Sequence, residues 1–466
     1  MRKRYLIYIV LVCAILLIPF LGMIFWATNE TTENTVLAKW PSMLEDGKLN
    51  REYLSGMGEY FEDHFAFRQQ MVTANAVLRG KVLKESATPK VVVGTDNWLY
   101  YNGTLEDYQG KNVMDERQLY MTIHNLKLIQ QYVESLGSGF IFTVAPNKNS
   151  LYNENMPYYY QKGSESNLVN LTERMEEAGI SYLDLYSLFQ AQEDVLYFKR
   201  DSHWNNKGAV LSYNALMDCI GKEHETYLNV PYEEKAVHTG DLDEMLYPLA
   251  YEPETDYIYD REWKYQYVND VTDNMDDWIE TVSPGKAGTI LMFRDSFGES
   301  LLPFVAEEIE RGYFSRLVPY NLTQTEQYRP NCVVIEKVER NLIDFIEEAP
   351  IMEPVQTEVL SAPEAETDSV ISTDKQGSYL MISGQVDGAY VFEETEIYVS
   401  LRNKQTMETT TYPVFYVMTE EEGSHGYQVY LKGSSLKPGD YHISIIVQNA
   451  GQNMIVASKD VTWDQE

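Results

Sequence analysis

The chain has 466 residues, with 71 acidic and 37 basic side chains and a formal net charge of −34. A chain this acidic repels phosphate backbones, which argues against nucleic acid as a partner. Three cysteines are too few for a disulfide scaffold or a cysteine-rich zinc protein. The hydrophobic content of 44% is enough to build a core, and the length predicts two or three domains.

The N-terminus carries an apolar segment. Three basic residues at positions 2–4 precede an uncharged stretch of 22 residues, 5–26, which is long enough to cross a hydrocarbon core of about 30 Å. Basic residues on the leading side predict that this end stays in the cytoplasm while the remainder is exported. The alternative is a cleaved signal peptide, but its apolar region would be unusually long, and no small-x-small site follows before Asn29. We therefore predict a transmembrane anchor over residues 1–27 and an extracytoplasmic location for the bulk of the chain.

The middle of the chain alternates short apolar runs with longer amphipathic stretches. Residues 28–85 have helical spacing and are predicted to form a juxtamembrane helical region. Residues 86–346 then predict an α/β domain, in which a mostly parallel sheet is flanked by helices. Its predicted strands include residues 91–93, 140–145, 182–185, 289–293 and 333–335. Its predicted helices include residues 116–136, 166–178, 207–220 and 300–310. Residues 222–285 are acidic, Tyr-rich and interrupted by proline, which indicates an insertion or loop region.

The C-terminal part has a different composition. Residues 347–370 are rich in Glu and Pro and are predicted to be a linker. Beyond them, alternating apolar and polar runs separated by turn signals predict a small antiparallel β-sandwich over residues 371–466. The predicted strands are residues 379–386, 396–401, 409–418, 427–431, 441–448 and 454–463.

A serine follows one of the predicted strands of the α/β domain. Ser296 lies in the sequence Arg294-Asp295-Ser296-Phe297-Gly298, between the strand at 289–293 and a helix near 300. At the carboxyl edge of a parallel sheet, such a serine is placed to act as a nucleophile. The N–H groups of Ser296 and Gly298 are candidate oxyanion donors at the helix N-terminus. The alternative is that Ser296 only caps the helix.

A second motif supplies the base that a serine nucleophile needs. Asp201-Ser202-His203-Trp204 follows an apolar run and precedes another predicted helix. Residues two apart on an extended segment project the same way, so Asp201 can orient the imidazole of His203. The alternatives are a helix-capping Asp201 with a surface or packed histidine, or half of a metal site. His238 is the nearest candidate partner for a metal, but no second cluster has ligand-like spacing, and no metal is predicted.

With both motifs in place, the chain resembles the DHHW family and, more distantly, the SGNH-hydrolase-like domain of exported alginate O-acetyltransferases. The resemblance covers about residues 50 to 345. It rests on segments at 61–68 (FEDHFAFR), 98–101 (WLYY), 145–148 (APNK) with Tyr152 and Met156-Pro157, 201–204 (DSHW), 238–242 (HTGDL) and 294–298 (RDSFG).

The resemblance implies an SGNH-like fold and a Ser-His-Asp triad. Carried over residue by residue, Ser296 is the nucleophile, His203 the base and Asp201 the orienting residue. Two positions depart from the pattern. Arg294 stands where ordinary SGNH proteins have glycine before Asp-Ser, and Ser202 stands where the DHHW motif has its first histidine. Neither departure removes a triad member.

Four further residues are candidates for substrate binding: Asn147, Lys148, Trp204 and Arg294. The amide of Asn147 is a possible second oxyanion donor, and a turn-forming Asn is the alternative. Trp204 is placed either to stack on a sugar ring or to anchor the core. Arg294 is placed either to bind an anionic substrate group or to pair with Asp295. Glu336, Glu339 and Arg340 are expected to form a buried ion pair or a helix start.

These observations lead to an exported, membrane-anchored O-acetyltransferase that modifies a cell-surface polysaccharide through an acyl-enzyme. The resemblance implies a membrane-bound O-acyltransferase partner as the acetyl donor, and no cofactor. The alternatives are a carbohydrate esterase with the same triad, and a non-catalytic surface protein that binds glycans or takes part in assembly.

Overall fold

The computed structural model describes residues 2–26, 37–45, 47–419 and 423–464. The N-terminal helix Arg2–Trp26 includes a 20-residue span, Arg4–Met23, with a mean hydropathy of 2.8. Its length and composition suit either a membrane span or a signal sequence. Residues 28–36 of the predicted juxtamembrane region lie outside the described residues. The rest of that region holds the helices Tyr53–His64 and Arg68–Val77 and the π-helical segment Leu78–Leu83.

A central sheet organises the α/β domain. Within the described part of the chain it has seven strands, in the order Tyr182–Leu183, Gly139–Ala145, Cys332–Val338, Thr289–Phe293, Arg311–Ser315, Trp278–Val282 and Gln266–Tyr267. The first five pair in parallel, and the last two join antiparallel. The central strand Cys332–Val338 is buried along its whole length, which is expected for a strand covered on both faces. The predicted SGNH-like α/β class, with a mostly parallel sheet, is confirmed.

Helices cover both faces of this sheet. The longest, Glu116–Ser135, begins with a capping box in which Asp115 and Gln118 bond each other's backbone N–H groups. The other α-helices of the domain are Leu105–Gln109, Lys148–Leu151, Asn167–Ala178, Leu185–Gln190, Asn206–Ile220, Asp241–Leu246, Gly298–Glu308 and Gln324–Tyr328. The α-helices therefore alternate with the parallel strands, as the hydrophobic periodicity predicts.

Two segments differ from the sequence-based expectation. Val91–Val93 is a strand, but it pairs with Leu99–Tyr101 in a separate hairpin and does not enter the central sheet. The expected loop region at 222–285 contains the antiparallel hairpin Tyr232–His238 and Glu254–Tyr259. It also supplies the two antiparallel edge strands of the central sheet. The hairpin is rich in polar, exposed residues, and the edge strand Trp278–Val282 alternates half-buried with buried positions. These strands therefore lack the continuous apolar pattern by which buried strands are recognised.

The C-terminal region has two antiparallel four-stranded sheets within its described residues. One comprises Val370–Gln376, Tyr379–Gln385, Gly423–Lys432 and Phe415–Thr419. The other comprises Thr409–Pro413, Glu396–Asn403, Gly439–Asn449 and Gln452–Trp463. Side chains from both sheets share one core, including Ile382, Val429, Val399 and Ile445, as the predicted sandwich requires. The strand at 370–376 is missing from the prediction because its residues are mainly exposed and polar.

The β-sandwich packs on the α/β domain through a polar contact as well as through apolar side chains. Asn125, on the long helix, donates to the carbonyls of Phe345 and Tyr416 and accepts from the Tyr416 N–H. His124 contacts the Val414 carbonyl at 3.0 Å. The division of the chain at residues 346 and 370 remains our proposal.

Candidate active site

The loop that carries Asp201 and His203 is held from below by a buried lysine. Lys148 Nζ donates to the backbone carbonyls of Phe198, Lys199 and Asp201. Burial lowers the pKa of Lys148 to about 8, despite the nearby Asp201 and Asp241 charges. The helix that follows is capped by Asn205, whose side chain accepts from the N–H groups of Lys207 and Gly208. Asp201 is therefore not the capping residue, which leaves its carboxylate for other partners.

Ser296 lies in the turn between the strand Thr289–Phe293 and the helix Gly298–Glu308. The turn is held by Asp295, whose carboxylate accepts from the N–H groups of Phe297 and Val338. The cap position of the helix is Phe297, and no capping side-chain hydrogen bond is present among the described residues. The capping alternative for Ser296 is therefore wrong, because Phe297 occupies the cap position and the Ser296 hydroxyl contacts His203.

Asp201, His203 and Ser296 form a continuous hydrogen-bonded chain. Ser296 Oγ lies 2.8 Å from His203 Nε2, and His203 Nδ1 lies 2.7 Å from Asp201 Oδ1. The His203 backbone N–H also donates to Asp201 Oδ1 at 2.8 Å. This order of contacts lets the imidazole accept the hydroxyl proton on one nitrogen while the carboxylate holds the other.

In both Asp201 and His203, the mutual charge interaction shifts the pKa in the direction opposite to the effect of burial. Burial raises the pKa of Asp201, but the charges of His203 and His238 and their hydrogen bonds outweigh it and hold the pKa well below the usual range. Burial lowers the pKa of His203, and the Asp201 carboxylate outweighs this effect, so the pKa of His203 is raised. Asp201 is therefore an anion that stabilises the protonated imidazole.

A second segment, residues 238–241, contacts the 201–203 loop from the side. His238 Nε2 and the Asp241 N–H each lie 2.9 Å from Asp201 Oδ2. In return, Asp241 accepts from the N–H of Ser202 at 2.8 Å and from its hydroxyl at 2.5 Å. Ser202, which departs from the DHHW motif, is therefore a hydrogen-bond partner of Asp241.

Two glycines allow the close approaches that this site needs. A Cβ on Gly240 would lie 2.2 Å from the carbonyl oxygen of Arg200, so only glycine lets residues 238–241 lie against the loop. A Cβ on Gly298 would lie 2.6 Å from Cδ of Arg294. The first contact is with backbone, which has little freedom to move aside.

The chain of three residues opens into a cleft of 640 Å³. Tyr259, Trp263 and Phe304 line the same cleft, and Trp263 is 40% exposed. Arg261 lies 5.3 Å from the centre of the Trp263 ring and pairs with Glu307. The Ser296 hydroxyl, the His203 imidazole and the aromatic ring of Trp263 therefore line one cleft.

The structure places Asn147 away from the predicted role. Asn147 is 1% exposed, its side-chain amide donates to Asp107, and its N–H donates to Glu339. Lys148 is occupied by three protein carbonyls. Neither residue lines the cleft that holds Ser296. In the described contacts, Asn147 and Lys148 therefore hold neighbouring protein segments in place and do not form the wall of the cleft.

Arg294 and Trp204 are also buried. The Arg294 guanidinium donates to the backbone carbonyls of Asn274, Asp276 and Asp295, so neither predicted role of this side chain is observed. Trp204 lines the cleft but is only 1% exposed. Its indole donates to Ser300 Oγ, which supports the core-anchor alternative.

Of the two expectations for Glu336, Glu339 and Arg340, the helix start is observed, because the 3₁₀-helical segment Glu339–Ile346 begins at Glu339. An ion pair among the three residues is not observed in the described part of the chain. Glu339 accepts from the Ser150 hydroxyl as well as from Asn147, and burial raises its pKa to about 7. Burial and the charge of Asp295 raise the pKa of Glu336 well above its ordinary value. Arg340 lies over the rings of Tyr101 and Phe297. Sequence spacing does not reveal these partners, because they lie in distant parts of the chain.

One group of donor atoms has a spacing compatible with a metal. Atoms of Asp201, His203 and Asp241 lie within 4.8 Å of one another. Each of these side chains already makes the hydrogen bonds described above, and together they account for the geometry. We assign no metal to them.

The sequence-based search gave no role to His238 in acid–base chemistry, and none to Asp241 or Gly240. The signal available was the segment at 238–242, which was part of the family resemblance but carried no assigned function. Only the folded hairpin shows that it lies against Asp201.

Comparison with known proteins gives one family match. Residues 91–283 match the model of the SGNH hydrolase-like domain of the acetyltransferase AlgX. This range contains Asp201 and His203 and ends before Ser296. No curated protein matches the chain in sequence.

Several solved structures are similar to parts of the chain. Bacillus cereus PatB1 with a sulfonyl adduct is 15% identical, with a TM-score of 0.43 over 54% of this chain and 97% of that one. A DHHW family protein from Eubacterium siraeum is 14% identical, with a TM-score of 0.39 over 55% of this chain and 95% of that one. Pseudomonas aeruginosa AlgX is 14% identical, with a TM-score of 0.35 over 79% of this chain and 89% of that one.

The family match confirms the resemblance inferred from the motifs and the predicted enzyme class. Residues 91–283 are similar to the SGNH hydrolase-like domain of AlgX-type acetyltransferases, in agreement with the predicted class of SGNH-like O-acyltransferase.

Proposed function

We propose that this protein is an exported, membrane-anchored O-acetyltransferase that modifies a cell-surface polysaccharide through an acetyl-Ser296 intermediate. The observation that carries the proposal is the 2.8 Å contact between Ser296 Oγ and His203 Nε2, with Asp201 on the far nitrogen. The family match to an acetyltransferase domain supports the acyl group and supports polysaccharide O-acetylation.

In the first step the acetyl group moves from donor to enzyme. Ser296 Oγ attacks the acetyl carbonyl while His203 Nε2 takes the hydroxyl proton. The carbonyl oxygen becomes an oxyanion, for which the N–H groups of Ser296 and Gly298 are the proposed donors. The carbonyl re-forms, the bond to the donor's leaving oxygen breaks, and His203 returns the proton to that oxygen.

In the second step a sugar hydroxyl replaces the donor. His203 Nε2 takes the proton of the hydroxyl, and the sugar oxygen attacks the acetyl carbonyl. The bond to Ser296 Oγ breaks, and the serine oxygen recovers the proton from His203. The products are an acetylated sugar and the free enzyme, and no cofactor takes part in the balance.

The cleft supports a sugar as the acceptor. Trp263, which is 40% exposed, offers an apolar surface in the cleft that contains Ser296, and the half-buried Tyr259 lines the same cleft. Sugar rings present C–H faces with polar edges, which suit an aromatic wall beside carboxylates. The proposed acceptor therefore lies across Trp263 with a hydroxyl toward His203.

The proposed anchor and donor are linked. The apolar helix Arg2–Trp26 is long enough to hold the domain at a membrane. The family resemblance implies a membrane-bound O-acyltransferase as the partner that passes acetyl groups outward. Tethering both proteins to the same membrane raises the effective concentration of the donor.

Product analysis tests the proposal. The full-length protein in detergent is given an acetyl ester donor with and without an oligosaccharide acceptor, and products are separated by mass spectrometry. We expect acetylated oligosaccharide, with Ser296→Ala as the inactive control. Release of acetate alone in the presence of every acceptor would favour the esterase alternative, and equal turnover by the Ser296→Ala variant would overturn both.

A further inference from the structure

The Asp201 carboxylate has an imidazole on each of its oxygens. His203 Nδ1 lies 2.7 Å from Oδ1, and His238 Nε2 lies 2.9 Å from Oδ2. We propose that His238 is a positioning residue, which fixes the Asp201 carboxylate so that Oδ1 stays on His203 during acyl transfer. The proposal rests on the function proposed above and adds a residue to its machinery.

The hydrogen bonds divide evenly between the two carboxylate oxygens. Oδ1 accepts from the backbone N–H and from the imidazole of His203. Oδ2 accepts from His238 and from the Asp241 N–H. The Asp201 side chain is only 5% exposed, so its charge depends on these donors. Without His238, Oδ2 keeps a single donor, and the carboxylate gains freedom to rotate away from His203.

The His238 ring is itself fixed. It stacks on Phe198 with the ring centres 3.7 Å apart and an interplanar angle of 7°. Phe198 belongs to the same loop as His203, since its N–H donates to the His203 carbonyl at 3.2 Å. The stack therefore ties the orientation of His238 to the loop that it supports. Donation from Nε2 requires the Nε2–H tautomer or the protonated ring.

The charges around His238 come from three elements. Asp201 lies on the loop, Glu254 and Asp256 lie on the strand Glu254–Tyr259, and Glu244 lies on the helix Asp241–Leu246. Burial lowers the pKa of His238, but the hydrogen bond to Asp201 and the charges of Asp201, Asp256 and Glu254 raise it overall. The neutral Nε2–H tautomer and the protonated ring both donate to Asp201, so protonation of His238 does not break this hydrogen bond.

Two substitutions separate the hydrogen bond from the ring. His238→Phe keeps an aromatic ring to stack on Phe198 and removes the donor. His238→Gln keeps an amide donor near Oδ2 and removes the titrating ring. Both variants lack the charge of a protonated histidine, and only His238→Phe keeps the ring on Phe198. Higher activity of His238→Gln than of His238→Phe therefore reports the donor and not the ring. The matched control is His442→Phe, since His442 also bonds a carboxylate, Asp460, but on the surface of the β-sandwich.

Steady-state transfer kinetics of the full-length protein test the proposal. We expect His238→Phe to lower kcat on the order of 10- to 100-fold with KM for the acceptor within about twofold, since a misplaced catalytic group costs this much. His238→Gln is expected to restore most of kcat, and His442→Phe to match the unsubstituted protein. A lower kcat in both His238 variants, with no recovery in the Gln variant, would overturn the proposal.

The pH dependence of kcat/KM adds a measurement that a packing defect alone would leave unchanged. Asp201 raises the pKa of His203, so a carboxylate that turns away lets this pKa fall. We expect the acidic limb of kcat/KM to lie at lower pH in His238→Phe than in His238→Gln. Coincident limbs would contradict the inference. If Ser296→Ala is as active as the unsubstituted protein, the proposed function fails instead, so the two failures are distinguishable.

Discussion

His203 Nε2 lies 2.8 Å from Ser296 Oγ, although 93 positions separate the two residues in the chain. Their loops meet because each lies beside the same edge of the α/β domain. The strand Thr289–Phe293 ends just before Ser296, and Lys148 follows the strand Gly139–Ala145 and holds the loop of His203. The two strands flank Cys332–Val338 in the central sheet and run parallel. This contact gives the serine a base, and five predictions follow from the surroundings of the pair.

Removal of the Ser296 hydroxyl should abolish acetyl transfer and leave the fold intact. The described side-chain partner of Ser296 Oγ is His203, so Ser296→Ala removes one partly exposed contact. We expect kcat to fall at least about 1,000-fold, as for other triad members, with a Tm unchanged within about 2 °C. Ser435→Ala, on the β-sandwich, is the control for both assays. Residual transfer above one tenth of normal would contradict the prediction.

Neutralising Asp201 should cost nearly as much activity. In Asp201→Asn an amide nitrogen replaces one of the two acceptor oxygens, so it faces the donors either of His203 or of His238 and Asp241, and the charge that stabilises protonated His203 is lost. We expect kcat to fall on the order of 1,000- to 10,000-fold. The pKa of His203, followed by histidine NMR of selectively labelled protein, should decrease. An unchanged His203 pKa would show that Asp201 does not act on the base.

The pH dependence follows from His203. The base must be neutral to take a proton, and its pKa is raised above the ordinary 6.5, so kcat/KM should fall as pH decreases through a limb above 6.5. Because the folded-state pKa is raised, the associated stabilisation is fully present below 6.5 and is lost as pH rises through the folded pKa. Kinetics and urea unfolding between pH 5 and 9 measure both effects. An acidic limb below 6.5 would contradict the assignment.

Lys148 should matter for stability and for activity, even though it does not line the cleft. Lys148→Met removes the donors to three carbonyls of the 198–201 loop. We expect the free energy of unfolding to decrease by about 1–3 kcal/mol, since buried carbonyls lose a donor, and kcat to fall with the loop misplaced. Lys437→Met, at an exposed lysine, is the control. Urea unfolding that is identical in both variants would exclude the supporting role.

Trp263 should affect the acceptor and not the donor. Trp263→Ala removes the exposed ring of the cleft wall and leaves Ser296 and His203 untouched. We expect KM for an oligosaccharide to rise roughly tenfold, which corresponds to about 1.4 kcal/mol of lost contact. The rate of hydrolysis of a small acetyl ester should stay within about twofold. If both rates fall equally, Trp263 supports the fold rather than the acceptor.

Much of the architecture follows from local patterns. Apolar runs and helical periodicity place the strand Thr289–Phe293 and the helix Asn206–Ile220 within two residues of their predicted bounds. Alternation likewise predicts most strands of the β-sandwich. These signals are local because a strand or helix buries one face through the spacing of its own residues. The exposed hairpin of residues 232–238 and 254–259 carries no such signal.

The supporting contacts of the site could not be predicted in this way. Lys148 and Arg294 are polar residues beside the motifs, and spacing cannot tell whether such a side chain meets a substrate or a buried carbonyl. In the folded chain, Lys148 donates to the carbonyls of Phe198 and Asp201. Arg294 donates to the carbonyl of Asn274.

Local patterns in the chain were enough to propose Asp201, His203 and Ser296 as the site, because apolar runs mark the strand ends after which a base and a nucleophile can lie. The contact between His238 and the second oxygen of Asp201 is visible only in the folded chain. That contact joins residues 37 positions apart through a hairpin and a glycine that permits backbone to approach backbone. Such a distance depends on long-range packing and cannot be read from local periodicity.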